Sequence, residues 1–435
     1  MAPFIGRELR RRQWEGLTLT GCAPYGASAR MQTTGRTFDT IIIGAGIMGL
    51  AFARELRRRD PRRTIAVFEK ESDLGRHASG RNSGVLHSGI YYPEGSLKGR
   101  LCAAGAREMA EFCEEHRLPF ERSGKVVLPV RESDDAVLDL LLSRGLANGA
   151  RAEIIDAQQL RDLEPAARTV TGRALFTPDT AVIDPMTVLR TLRGALEREG
   201  VTFFFGAPAE VSRAGESAVR ARGEAFGFGT LINAAGLQAD LVARQFGAGH
   251  GYVILPFRGS YYRLAGDAGI PIRRQIYPVP DLSVPFLGVH VTRSIDGTIH
   301  LGPTAVPALG REQYHGFRGV RAGESIRIAA TLARQYAIDR GFRRYVHEEA
   351  RRFARPFFVA AARALVPAIR SRHLVACEKV GIRAQLFDLR KRELVMDFVV
   401  EESGRCLHVL NAVSPGFTSA FAFARHVIGG WVAAA

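Results

Sequence analysis

Thr37-Phe38-Asp39-Thr40-Ile41-Ile42-Ile43-Gly44-Ala45-Gly46-Ile47-Met48-Gly49 is an apolar run that stops on a glycine turn. Residues 50–59 follow with apolar positions at helical spacing, Pro61 breaks the chain, and Thr64-Ile65-Ala66-Val67-Phe68-Glu69 reads as a second strand. The stretch therefore predicts a strand, a crossover helix and a parallel strand. Gly44, Gly46 and Gly49 have the spacing of a dinucleotide-binding turn. The first glycine makes the bend, the second lets backbone approach a pyrophosphate, and the third lets helix and strand pack closely. A phosphate there faces the positive end of the helix. Glu69 ends the second strand, where a carboxylate accepts hydrogen bonds from ribose hydroxyls and repels a 2′-phosphate, so an NADP-specific site is not expected.

Outward from this unit, helical periodicity is predicted from Lys98 to Glu115, Asp134 to Leu146 and Thr187 to Glu199, the last entered through Asp184-Pro185. The stretches Val201 to Phe205 and Gly229 to Asn233 resume the first sheet. From Tyr252 to Pro303 the texture becomes alternating, aromatic and proline-punctuated, which predicts a second, antiparallel sheet. Arg321 to Arg372 reads as helical, Asp397 to Val400 and Cys406 to Leu410 as strands, and a last helix begins near Thr418. The fold class is α/β (α+β overall), a Rossmann-like cofactor domain interleaved with an antiparallel-sheet substrate domain. The expected division is residues 37–125, 183–247 and 373–435 for the first, and 126–182 and 248–372 for the second.

The formal charge of +16 on 435 residues raises nucleic acid or an anionic membrane as partners. Only five of the 60 basic residues are lysines (Lys70, Lys98, Lys125, Lys379 and Lys391), and the arginines are scattered. That pattern reads as a coding bias rather than a binding stripe, and no nucleic-acid partner is expected. Cys22, Cys102, Cys113, Cys377 and Cys406 form no CxxC pair or disulfide framework, which fits a reducing, cytoplasmic compartment. No zinc spacing implies a metal. No 18-residue apolar run predicts a membrane span. Residues 1–36 are arginine-rich and acid-poor; we read them as a disordered or mis-annotated extension, with initiation at Met31, in preference to a transit peptide.

Four further stretches carry a resemblance. Arg81-Asn82-Ser83-Gly84-Val85-Leu86-His87-Ser88-Gly89-Ile90-Tyr91-Tyr92, Pro256-Phe-Arg-Gly-Ser-Tyr-Tyr-Arg-Leu264, Pro285-Phe-Leu-Gly-Val-His-Val-Thr-Arg293 and Gly381-Ile-Arg-Ala-Gln385 resemble the L-2-hydroxyglutarate dehydrogenases/oxidases, within the D-amino-acid-oxidase-like group. The resemblance runs from about Asp39 to the final helix. It implies FAD as cofactor and a small 2-hydroxy acid as substrate, with a quinone or oxygen reoxidising the flavin. It implies that Arg81, Asn82, Ser83 and Gly84 lie against the flavin ring. It also implies that Ala235 and Gly236, within Asn233-Ala-Ala-Gly-Leu237, leave room for the dinucleotide, and that Val211 meets the adenine through its backbone. Where relatives often carry small residues, this chain reads Ser414-Pro415-Gly416-Phe417-Thr418. The turn still aims a helix N-terminus at the flavin, and Phe417 narrows the pocket.

Oxidation of a 2-hydroxy acid needs a cation for the carboxylate and a base for the hydroxyl proton. The resemblance implies Arg383 as the carboxylate ligand, since Gly381-Ile-Arg383 matches a strand that supplies a carboxylate-binding arginine across the wider group, and its planar fork suits bidentate pairing. His87 and His290 compete for the base. Arg258, Tyr262 and Tyr92 are expected at the distal carboxylate of a diacid. Arginines 321–372 are read as a solvated helical face, with peripheral docking on an anionic membrane as the alternative. The rival functions are amino-acid oxidation on the same fold and a non-catalytic basic flavoprotein.

Overall fold

A computed structural model describes residues 35–211, 217–282 and 284–434. The expected extension at residues 1–36 and Cys22 thus lie almost wholly outside the described residues. Thr37–Ile43 is the central strand of an eight-stranded sheet. Ile41 and Ile42 are fully buried, so the apolar run of the sequence is a strand covered on both faces. Ile65–Phe68 pairs with it in parallel on one side, and Thr202–Phe204 extends that edge. Glu224–Asn233 pairs in parallel on the other side, and Cys406–Asn411 continues from it. Antiparallel strands Glu210–Val211, Ala218–Ala221 and Val399–Ser403 complete the sheet.

Helices Ile47–Arg59, Leu97–Glu115, Pro185–Arg198 and Gly416–Ala434 pack over this sheet around one core that includes Leu50, Met109, Leu192 and Phe423. Their starts follow from local chemistry. Ser96 accepts a hydrogen bond from the Gly99 amide, and Asp184 accepts from Met186 and Thr187 with Pro185 at the first helical position. The Asp397 carboxylate accepts from the amides of Leu97 and Lys98, tying strand-end and helix-start together across 300 residues.

The second sheet has ten strands and is antiparallel apart from one parallel pair, Gln275–Pro278 with Lys125–Leu128. Its spine is the long pair Tyr252–Leu264 and Leu374–Asp388. Lys125–Leu128, which spans the expected boundary between residues 125 and 126, hydrogen-bonds into this second sheet. Within the alternating stretch predicted to form this sheet, the motif from Pro285 is a strand only over His290–Arg293, and Phe286, Leu287 and Gly288 precede it as a loop. Val85–Leu86, which follows the Arg81–Gly84 stretch, forms a small third sheet with Ala181–Ile183 and Phe120–Glu121. The arginine-rich region folds as three helices, Ala322–Ile338, Arg340–Phe353 and Arg355–Leu365. No described helix is long and apolar enough to cross a membrane.

Candidate active site

A cavity of about 760 Å³ runs from the glycine turn of the first sheet to the inner face of the second. At one end the turn is built for close approach. Gly44 has φ of +104°, and a Cβ there would sit 2.6 Å from the Ala234 carbonyl oxygen. A Cβ on Gly46 would press on the Ser79 hydroxyl, which accepts from the Ile47 amide at 3.0 Å. A Cβ on Gly49 would lie 1.9 Å from the Gly44 carbonyl oxygen. The helix that follows has no side-chain cap and no acid in its first turn, leaving a bare positive end. Glu69 accepts from the Ala45 amide through one oxygen and from the Glu71 amide through the other. A carboxylate has lone pairs beyond these two bonds. This open glycine cradle, lined also by Ala235 and Gly236, fits a dinucleotide.

The middle of the cavity is lined by residues 75–79 and 81–83. Asn82 folds this loop on itself, donating to the Ser79 carbonyl and accepting from the Gly84 amide. Arg81 donates to the Arg76 carbonyl and stacks its guanidinium 4.3 Å from the Tyr314 ring centroid. A Cβ on Gly381 would be 2.8 Å from the Arg81 carbonyl oxygen, so the loop rests on the strand that carries Arg383. Opposite, Gly416, Phe417 and Thr418 line the cavity at the start of the last helix. Thr418 accepts from the His87 amide, which pins that helix end to the Val85–Leu86 strand.

At the far end, His87, His290, Tyr277 and Arg383 line the cavity together. Burial pushes His87 down to about 3, helped by the charges of Lys125, His290 and Arg383. Burial also pushes His290 down to about 4. Both imidazoles are therefore neutral at pH 7. Nδ1 of His290 lies 2.9 Å from the Gly288 carbonyl oxygen, which accepts a hydrogen bond, so Nδ1 carries the proton and Nε2 keeps its lone pair. Nδ1 of His87 is buried without a hydrogen-bond partner among the described residues. Arg383 is half-buried and makes no ion pair among the described residues; its Nε donates to Gln385 and its fork lies 5.5 Å from the Phe286 ring centroid. Burial and lost solvation lower its basicity. An unpaired cation in a cavity with neutral bases is a receptor for an anion.

Several residues singled out in the sequence do not line this cavity, for reasons the pleat and packing supply. Arg258 pairs with Ile382 and Phe257 with Arg383, so Arg258 leaves the sheet on the face opposite Arg383. Tyr262 packs in the second sheet's core, 4.8 Å from Phe358. Tyr92 stands behind the wall, where burial raises its hydroxyl well above the usual range and Ser414 hydrogen-bonds it. Gly84, with φ of +76°, makes room for the Ile183 carbonyl in the third sheet. Val211 donates its amide to Gln245, and its neighbour Glu210 lines the cavity instead. Gly49 acts through helix packing rather than by facing the cavity.

Other residues came together that no motif marked. Lys70, Glu71, His77, Glu312 and Tyr314 meet at the cavity mouth. Lys70 bonds both carboxylates, and His77 bonds the Tyr314 hydroxyl at 2.8 Å. Arg311, almost fully buried, clamps Asp240 and anchors this loop to the helix Ala239–Gln245. Glu312 and Tyr314 lie more than 230 residues from His77 along the chain, so only a contact map joins them. Lys125 is another such residue, wholly buried behind Tyr277.

The model of the family described as FAD dependent oxidoreductase matches residues 39–429. An L-2-hydroxyglutarate dehydrogenase of Indibacter alkaliphilus is 36% identical over 91% of this chain and 98% of its own. The enzymes of that name from Escherichia coli K12 and, in mitochondria, Caenorhabditis elegans are 32% and 35% identical, each over 90% of this chain and 92% of theirs. Among solved structures, L-alpha-glycerophosphate oxidase of Mycoplasma pneumoniae with FAD bound superposes with a TM-score of 0.72. That alignment is 20% identical and covers 91% of this chain and 95% of that one, a likeness of fold. With a glycine cradle at one end of its cavity and an unpaired arginine at the other, the chain belongs to the FAD-dependent oxidoreductases, within the group of the L-2-hydroxyglutarate dehydrogenases.

Proposed function

We propose that this enzyme oxidises L-2-hydroxyglutarate to the 2-oxo acid. The observation that carries the reading is Arg383, a cation without an ion-pair partner among the described residues, beside two neutral histidines in one cavity. In this reading Arg383 binds the carboxylate next to C2 with its planar fork, fixing the substrate against the Arg81–Ser83 loop. His290 Nε2 takes the hydroxyl proton, because the Gly288 carbonyl holds the ring in the tautomer that leaves that nitrogen basic. His87 lines the same wall as the second candidate. Gly44, Gly46, Glu69, Ala235 and Gly236 would hold the dinucleotide, and the helix end at Gly416 would present its positive end to the bound group. Bound FAD supplies the two-electron acceptor for the hydride that leaves C2.

The acceptor that reoxidises the flavin is proposed to be a quinone or oxygen. Peripheral contact with an anionic membrane is part of the reading. Phe353 and Phe357 are exposed beside Arg351 and Arg355, an apolar and basic surface suited to the lipid interface. The test of the main reading is direct. The purified yellow protein is mixed without oxygen with each enantiomer of 2-hydroxyglutarate. Loss of visible absorbance with the L form, and none with the D form, is expected. Bleaching by amino acids instead overturns the proposal in favour of amine oxidation.

A further inference from the structure

Lys125 is fully buried, its Nζ has no hydrogen-bond partner, and it makes no ion pair among the described residues. It sits 4.6 Å from the Tyr91 ring centroid and 5.4 Å from that of Tyr277. Tyr277 in turn stacks on His290 with centroids 4.0 Å apart. Burying an ammonium is costly, and two ring faces offset only part of that cost. A methionine of similar length fills such a space without the charge. We propose that Lys125 is a positioning residue whose charge, held behind the cavity wall, adds to burial in keeping the cavity histidines in their neutral, proton-accepting form.

The proposal rests on the reaction assigned above, and the electrostatics around the histidines supports it. His87 faces Lys125, His290 and Arg383, while His290 faces Lys125, the Tyr277 ring and the Gly288 carbonyl. Lys125 itself faces Tyr91, Tyr277 and the Cys102 thiol, which burial pushes up to about 12 and so leaves uncharged. Substrate changes this balance. Its carboxylate neutralises Arg383 and, as a nearby anion, favours the imidazolium. Lys125 is the cation left to oppose that effect. Burial lowers Lys125 to about 7, so it charges on the acid side of neutrality, where the histidines would otherwise begin to protonate.

The experiment compares the flavin-loaded wild type with Lys125→Met and Lys125→Arg by the pH dependence of kcat/KM, with histidine ring protons followed by NMR in the absence of substrate. In Lys125→Met the acid limb and the histidine titration move up by roughly one pH unit, because a lost cation raises a neighbouring imidazole. At pH 9, where the wild-type lysine is itself largely neutral, kcat/KM stays within about threefold of wild type. Lys125→Arg restores the acid limb. An unmoved limb and titration, or a loss by one factor at every pH, overturns the proposal and makes Lys125 a packing residue. If the methionine variant does not fold, Lys125→Gln, polar and uncharged, gives the same comparison. Wild-type enzyme that leaves L-2-hydroxyglutarate unoxidised at every pH sinks the assigned reaction instead, and the NMR titration still decides the role of Lys125.

Discussion

The Tyr277 ring lies flat against the imidazole of His290, with planes 17° from parallel, while the Gly288 carbonyl holds Nδ1 from the side. These two contacts fix both the plane and the tautomer of the proposed base. Tyr277→Leu removes the first and leaves the second. It is expected to lower kcat by roughly tenfold with KM little changed, as a loosened base would. Steady-state kinetics in both parameters checks it, and a rise confined to KM would count against the role of His290.

Arg383→Lys keeps the charge and loses the fork. If Arg383 grips the substrate carboxylate, kcat/KM falls about 100-fold, or ~3 kcal/mol, while the flavin content is unchanged. Arg258→Ala and Tyr262→Phe lie on the far face and in the core, so each is expected to leave KM within about twofold. A large KM effect from either would show that the pleat argument misplaces the substrate.

Gly49→Ala sets a methyl group 1.9 Å from the Gly44 carbonyl oxygen, a clash that only a shift of the cofactor turn can relieve. The expected result is a colourless or weakly coloured protein destabilised by about 1–3 kcal/mol. The ratio of flavin to protein absorbance, with denaturant unfolding, measures both effects.

The histidines also couple stability to acid. His87 and His290 are lowered to about 3 and about 4, below the ordinary histidine value near 6.5. The unfolded chain therefore binds protons that the folded chain refuses. The stability these groups contribute is fully present above about pH 6.5 and is lost as pH falls from there toward 4. A Tm that declines over that window is expected, with a shallower decline in His290→Leu. A Tm flat between pH 6.5 and 4.5 would rule the coupling out.

Arg311 and Asp240 are paired out of contact with solvent. Arg311→Met removes the close partner of a buried carboxylate, leaving it Arg244 at 3.6 Å and the Ile254 amide, and is expected to destabilise the protein by about 3 kcal/mol. It should also loosen the loop that carries Glu312 and Tyr314. Arg311→Met with Asp240→Leu should recover much of the stability, since the fully buried carboxylate is then gone and only the more exposed Glu324 and Arg244 lose a partner. Equal stability of the single and double variants would contradict this account.

Reading outward from Gly44, the one-dimensional pattern was enough for the dinucleotide unit, the four main helices and the change to an antiparallel sheet. Each depends on neighbours within a dozen residues: an apolar run, a glycine turn, a cap, a period of 3.6 or 2. Local patterns also marked His87, His290 and Arg383 as chemistry-bearing residues. What they are beside is another matter. Arg258 and Arg383 look equivalent on paper, and the register that pairs Phe257 with Arg383 alone decides that they face opposite ways. The His290 tautomer depends on the turn at Gly288, the clamp at the mouth joins His77 to Tyr314, and Lys125 acquires meaning only behind Tyr277. The chain by itself determined which elements form, because their energetics are local. The tertiary structure decided which side chains share a cavity and in what charge state, because burial and electrostatic coupling belong to neighbours in space.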